Sequence, residues 1–335
     1  MFTMIDNKKP AVAILFTNTA KAKGTKPFST RNSGRVWTIF SRKARKYGLN
    51  VFLAHHKEYK DGRLLKCWHK ENKKWKIIKD QPIDIIYSRF AGSIYKHNKV
   101  NKKALKFKLD MASQVTMINH PILDDFCWDK RVVSETFPQY TPKTFVVNTL
   151  HGLKIVLSKI NTKKIILKPR YGTLGRKVLV VDRDKLPKKI EKNTLVQEFI
   201  DTSKGIKGIT KGVHDMRVII INGKIDHVHV RTPKDGLLKA NVALGGSKEF
   251  VDKKKVPRKA KIIAKKVDKL FKGLYPRVFS VDFLFNEKGR PYIVECNSQP
   301  MIDKYAFGKY ADPSFYDRLL ETIRISIPVK VVESY

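Results

Sequence analysis

FSVDFLFNEKGRPYIVECN, residues 279–297, reads as two apolar strands joined by a turn at Asn286-Glu287-Lys288-Gly289. Pairing Phe285 with Arg290 sets Asp282 opposite Ile293 and makes Glu295 its diagonal neighbour on the same face. Asn297 shares that face because strand side chains alternate, whereas Cys296 turns toward a core. Two carboxylates and a carboxamide are hard oxygen donors, suited to Mg²⁺ shared with nucleotide phosphates. The plain alternative is a solvated polar edge. The apolar runs FSVDFLF and YIVEC speak against it.

Working outward, IILKPRYGTLGRKV (165–178) is a strand ending at Lys168-Pro169, a loop with Gly172, Thr173 and Gly175, and another strand. Glycines let backbone amides approach phosphate oxygens, and a strand-end lysine supplies charge. The loop joins strand to strand and lacks GxxxxGK[ST], so it is no Walker loop, and an ordinary hairpin fits it as well. LVQEFID (195–201) carries Gln197 and Glu198 on a strand edge that can offer backbone groups to a flat base, or can simply end there. MRVIIING, KIDHVHVRT, RVFSVDFLFN and RPYIVECN follow as antiparallel strands. A helix starts at Asp312-Pro313, an N-cap followed by proline, and buries Phe315, Leu319, Leu320 and Ile323.

The first third has a different texture. AVAILFTN (11–18), VFLAHH (51–56), IDIIYSRF (83–90) and TMINHP (116–121) are apolar strands, with helices expected over 35–47 and 99–114. Gly48 stands where a C-cap belongs. This β-α-β alternation predicts a small parallel sheet. Residues 57–79 form a hairpin excursion around Asp61-Gly62. Its Tyr59, Trp68 and Trp75 lie among lysines, as cross-strand aromatics or as a docking surface. Further on, a short helix is expected at 129–136, a strand at 142–147 and a helix at about 149–160.

The chain has 335 residues, 70 Lys plus Arg against 30 Asp plus Glu, and a net charge of +40. At 42% hydrophobic it is long and apolar enough to bury cores, which excludes a disordered polyelectrolyte. No run reaches the roughly 18 apolar residues of a membrane span. The start, MFTMIDNKKPAVAILF, lacks signal-peptide features. Three scattered cysteines, Cys67, Cys127 and Cys296, exclude a disulfide scaffold and a CxxC zinc site, and a reducing, cytoplasmic setting is expected. The charge attracts acidic or polyanionic partners, nucleic acid being the less favoured, or reflects lysine-rich composition alone.

In order, DK (129–130), K-P-x-x-G-x-x-G (168–175), VQEFI (196–200), D-x-R (215–217), K-x-N (239–241) and D…E-x-N (282, 295, 297) resemble the ATP-grasp superfamily. The likeness is to RimK-like and glutathione-synthetase-like carboxylate–amine ligases and covers roughly 118 to 327. YSRF (87–90) is also similar to YheC/YheD-type ATP-grasp proteins. The resemblance implies a mixed α/β and α+β molecule: an ATP-grasp fold behind an N-terminal parallel-sheet, pre-ATP-grasp domain. The expected units are 1–117, a lid and central subdomain 118–200, and a C-terminal subdomain 201–335 with the metal site.

It implies further that Lys130 and Lys168 hold the ATP phosphates beneath a lid at Gly172, Thr173 and Gly175. Gln197, Glu198, Phe199 and Ile200 line the adenine, with backbone groups of Glu198 and Phe199 as hydrogen-bonding partners, and Asp215 contacts the ribose. Asp282, Glu295 and Asn297 bind two Mg²⁺, or Mn²⁺, with Glu295 bridging. Arg217 and Asn241, with Lys239 where relatives often have Arg, steady the transferred phosphate, and Arg231 serves the acid-substrate side. A homo-oligomer is a further implication.

The implied function is ATP-dependent joining of a carboxylate to an amine through an acyl phosphate, since an amine does not displace oxide from a carboxylate. Kinase action on a hydroxyl, or polyanion binding without catalysis, are the alternatives. Two departures stand out. Lys177 replaces a lid glycine, and lysine enters positive φ only at a cost, so a different lid geometry is expected. Ser298-Gln299-Pro300 replaces the small residue and Pro-Gly common in relatives, which bears on the acceptor pocket. Residues 202–213 are a Gly/Lys loop, read as a flexible surface loop or a clamp on an anionic substrate. His227 and His229 share a strand face without a third metal ligand nearby.

Overall fold

The computed structural model describes residues 9–17, 27–28, 31–71, 74–91, 94–96, 98–172, 177–234, 246–300 and 313–328. Thr173, Gly175, Lys239 and Asn241 lie outside the described residues.

The first unit runs β1 (Ala11–Phe16), α1 (Arg31–Lys46), β2 (Asn50–His55), β3 (Tyr59–Lys60), β4 (Arg63–Glu71), β5 (Lys74–Pro82), β6 (Ile85–Arg89), β7 (Tyr95–Lys96), β8 (Lys99–Val100), α2 (Lys102–Gln114) and β9 (Thr116–Ile118). Strands β2, β1, β6 and β9 are parallel neighbours, as the β-α-β alternation predicted. Strands β3, β4 and β5 extend the sheet antiparallel beyond β2. Helix α1 buries Val36, Trp37, Phe40 and Ala44, one face at helical spacing. It stops at Gly48, whose φ of +69° closes the last turn. Asp61 and Gly62 both take positive φ in the β3–β4 turn. Tyr59 and Trp68 are buried and Trp75 packs partly against the core, so these aromatics serve the sheet rather than a docking face.

Two short helices, α3 (Pro121–Trp128) and α4 (Lys130–Thr136), lead into the next unit. Proline at the first position and the His120 cap start α3, which sequence periodicity did not anticipate. Then come β10 (Thr144–Val147), α5 (Leu150–Leu157), β11 (Lys164–Pro169), β12 (Leu179–Asp182) and β13 (Thr194–Glu198). They form a four-stranded antiparallel sheet in the order β10-β13-β11-β12.

The last unit holds β14 (Asp215–Ile221), β15 (Lys224–Thr232), β16 (Ser247–Val251), α6 (Arg258–Lys269), β17 (Val278–Phe285), β18 (Pro291–Asn297) and α7 (Pro313–Ile325). The antiparallel order is β16-β15-β14-β17-β18. One sheet face packs α6 through Ala260, Ile263, Ala264 and Val267 around Val218, Val281 and Cys296. The opposite face buries Ile219 and Ile221 in the core of the first unit and carries Arg217 and Asp282 beside them. Strand β16 and α6 lie outside the sequence expectations, because lysines interrupt their apolar pattern. Helix α7 packs Phe315, Tyr316, Leu319 and Ile323 into the core of the first unit with Phe40 and Tyr87. Burial of these rings ties the chain's last helix to its first sheet.

Candidate active site

The register of the β17–β18 hairpin differs from the expected one. Phe285 pairs with Pro291, not Arg290, and a bulge follows at Asp282/Phe283. The extra residue brings Glu295 directly opposite Asp282 instead of diagonal to it, with Asn297 opposite Ser280. Cys296 faces the α6 core, as alternation required.

Asp282 is buried and lies in a charge cluster. Arg217 reaches its Oδ1 through Nε at 2.7 Å and its Oδ2 through Nη2 at 2.5 Å. Arg231 Nη2 adds 2.8 Å to the same Oδ2, and Arg231 also grips Asp215 at 2.6 and 2.8 Å. Burial opposes the ionised Asp282, but the two guanidiniums outweigh it and hold its pKa below the ordinary carboxylate range. Asp215 is the member pushed up, to about 6, by burial and the nearby Asp282 charge. Its carboxylate is engaged by Arg231, so the residue expected at the ribose is here part of the arginine cluster.

Glu295 makes no hydrogen bond to the described residues, yet its charge is felt at Lys130, Lys168 and Arg231. The two lysines come from different elements. Lys130 opens α4 and donates to the Gly172 carbonyl at 2.7 Å; Lys168, near the end of β11, donates to Gln197 Oε1 at 2.9 Å and the Val294 carbonyl at 3.3 Å. Burial and the neighbouring Lys130 push the Lys168 pKa down to about 8. Asp129, the α4 cap, holds Arg170 and receives the Tyr171 hydroxyl at 3.2 Å, which fixes the strand end carrying Lys168.

The remaining expected contacts divide. Gln197 Nε2 donates to Thr144 Oγ1 at 2.7 Å, so its side chain braces the sheet and Lys168. The Glu198 amide donates to the Lys143 carbonyl at 2.9 Å, with Phe199 and Ile200 just beyond the strand. Lys177 does take a left-handed φ of +59°, the conformation a glycine would supply at lower cost. Residues 202–213 hold a built turn at the surface: Ile206 pairs with Thr210, Thr202 and Ile206 are buried, and Lys204, Lys207 and Lys211 are exposed. His227 is held by Asp226 at 2.6 Å, and among the described residues no three His, Cys, Asp or Glu side chains gather as a metal site. The Asp282, Glu295 and Asn297 set contributes two such residues plus a carboxamide.

That set fits a divalent cation. Like charges directly opposite one another destabilise a sheet unless cations lie beside them. Arg217 and Arg231 supply them around Asp282, whereas among the described residues Glu295 has no hydrogen-bonded cation of its own. Two residues of the region escaped the sequence reading: Lys248, buried on β16 beside Phe250, and Arg89, whose strand end was noted only for its likeness to relatives.

The assembly of two antiparallel sheets around convergent lysines and carboxylates is that of the ATP-grasp fold. A model of the RimK-like ATP-grasp domain matches residues 137–321, and the chain belongs to that family. A probable alpha-L-glutamate ligase of Shewanella pealeana is 29% identical over 169 residues, 48% of this chain and 34% of the relative. The chain spans between a third and a little over half of the length of the curated relatives it matches, 34% to 56%. Among solved structures, D-cycloserine synthetase DcsG matches at a TM-score of 0.63 and 11% identity, covering 95% of this chain and all of that one. The ATP-grasp ligase PsnB, solved with a minimal precursor, Mg and ADP, gives 0.56 at 13% identity over 93% of this chain and 97% of its own. At such identities the likeness concerns the fold.

Proposed function

We propose that the protein is an ATP-dependent carboxylate–amine ligase that forms an amide or peptide bond through an acyl phosphate. The observation that carries the reading is the Asp282–Glu295 pair on one sheet face, converging with Lys130, Lys168, Arg217 and Arg231. The fold family uses ATP with Mg²⁺, and the solved relative PsnB holds Mg and ADP. Here Lys130 and Lys168 would bind the phosphates, and Asp282, Glu295 and Asn297 the Mg²⁺. The metal supplies charge neutralisation at the phosphoryl group. Arg217, paired with Asp282, and Arg231, paired with Asp215 and Asp282, are the cations that would offset the charge of the transferred phosphoryl and of the oxyanion that follows. Phosphate, unlike oxide, is a competent leaving group for the attacking amine. No enzyme nucleophile is needed, and all three cysteines are buried.

A hydroxylamine trap tests this. The protein is incubated with Mg-ATP, hydroxylamine and pooled amino acids, peptides and acid metabolites, with Glu295→Gln as control. A hydroxamate made only by the wild type is expected, its mass naming the carboxylate. ADP without hydroxamate would instead favour phosphorylation of a hydroxyl, and absence of both would overturn the reading.

A further inference from the structure

A pocket of about 330 Å³ opens beside α6, within the size range of small-molecule sites. Three segments line it: the β14–β15 turn at Gly223 with Lys224 and Ile225, the loop before α6 with Lys253 and Val256, and α6 itself with Lys261 and Lys265. Val256 is buried and Ile225 half-buried, both in the core beneath α6. The candidate active site is elsewhere. Helix α6 covers one face of the sheet and Arg217 with Asp282 stands on the other. Gly223 also follows the far end of β14, roughly 20 Å along the strand from Arg217.

Lysines are abundant over this whole chain, so charge alone would not mark a site. Here four of them converge on a concave surface that is mostly carbon. Their stems lie along apolar walls while the ammonium heads reach for water at the mouth. Lys261 and Lys265 are four apart on one helix face, where like charges cost stability. Among the described residues none of the four ammoniums has an ion-pair partner. The carboxylates nearby serve other groups. Asp268, whose Oδ2 would lie 3.2 Å from a Cβ on Gly223, is held by Arg277 at 2.7 and 2.8 Å. Asp226 is held by His227 and Arg318, and Asp252 caps the turn before α6 by accepting from the Lys254 amide at 2.8 Å.

We infer that this pocket is a second ligand site, for a small soluble organic polyanion. Its planar or aliphatic body sits against Ile225, Val256 and the lysine stems, and its anionic groups stay at the mouth with Lys224, Lys253, Lys261 and Lys265. An inorganic anion has nothing to cover the carbon walls, and an uncharged apolar ligand leaves the four ammoniums unopposed. A ligand with both features removes apolar surface from water and relieves the repulsion among the lysines. The site stands apart from the ligase reading, and neither depends on the other.

The test uses pyrenetetrasulfonate, a planar carbon body carrying four anionic groups, and follows its fluorescence polarisation at about 0.15 M salt, where charges more than about 8 Å apart are largely screened. Wild type is expected to bind it saturably. Lys261→Glu/Lys265→Glu should weaken binding about tenfold or more, through two lost charged contacts. Lys261→Met/Lys265→Met, which keeps the carbon walls and removes the like-charge pair, should weaken it as well. Lys102→Glu/Lys106→Glu alters an exposed pair four apart on α2 by the same net charge and should weaken it less than about twofold. Lys168→Met, in the candidate nucleotide site, should leave it unchanged. Tripolyphosphate, charge without a carbon body, should displace the probe only at about tenfold higher concentration than naphthalenetrisulfonate. Absence of saturable binding, equal losses in the two Glu pairs, unchanged binding in the Met pair, loss in Lys168→Met, or equal displacement by the two competitors would each overturn the assignment. The hydroxylamine trap reports on the ligase reading separately.

Discussion

Arg217 holds both oxygens of Asp282, at 2.7 and 2.5 Å, across adjacent strands of one sheet. Glu295 is placed opposite the same Asp282 on the other side, without a hydrogen bond to the described residues. Two carboxylates of one candidate metal set therefore differ in what they do for the fold, and this separates stability from activity.

Asp282→Asn leaves two buried guanidiniums short of charge, Arg231 keeping Asp215. A loss of about 3 kcal/mol is expected in urea unfolding. Glu295→Gln breaks no hydrogen bond and should cost less than about 1 kcal/mol. Both should abolish Mg-ATP turnover. Equal stability of the two variants would refute the account of the cluster.

Lys168 has a pKa lowered to about 8 by burial and Lys130. It loses its proton as pH rises through that value, so phosphate binding weakens, by about tenfold between pH 7 and 9. Because the folded value lies below the unfolded one, the group's burial is a cost to stability at pH 7 that fades above pH 8. Calorimetric titration of ATP should show this slope in wild type, and weak, pH-independent binding in Lys168→Met. Parallel slopes would reject the assignment.

Gly205 takes a φ of +74°, and an added Cβ would lie 2.1 Å from the Thr210 carbonyl oxygen. Gly208 has φ +73° with open space around it. Gly205→Ala should therefore cost clearly more than Gly208→Ala, for which the backbone term alone is about 1 kcal/mol. Thermal unfolding of the pair reads whether 202–213 is a built turn; equal costs would return it to a loose loop.

Burial pushes the Cys67 thiol up to about 12, and Cys127, beside Cys296, is raised too. A thiol-reactive chromophore should find fewer than one fast-reacting cysteine in the native protein and three after denaturation. A fast native thiol would contradict the packing.

Much of this architecture is legible along the chain. The four parallel strands, the Gly48 stop and the grouping of Asp282, Glu295 and Asn297 all follow from local alternation and turn residues. Strand β16 and helix α6 did not, because Lys248, Lys261 and Lys265 interrupt the apolar periods that the fold nonetheless satisfies with Ile263 and Val267. The bulge was also invisible: one unpaired residue changes which side chains face each other, and no local composition marks it.

The sequence by itself determined the family, through the order of its local motifs, and the strand carrying each carboxylate, since alternation is set by residues near one another in the chain. The tertiary structure alone decided that Arg217 and Arg231 share Asp282, that Lys130 and Lys168 crowd one another, and that Arg89 meets the exit of the metal hairpin. Those relationships join residues 38 to 211 positions apart. Coulomb energy and burial act through space, and they become definite only when sheets from separate parts of the chain have packed.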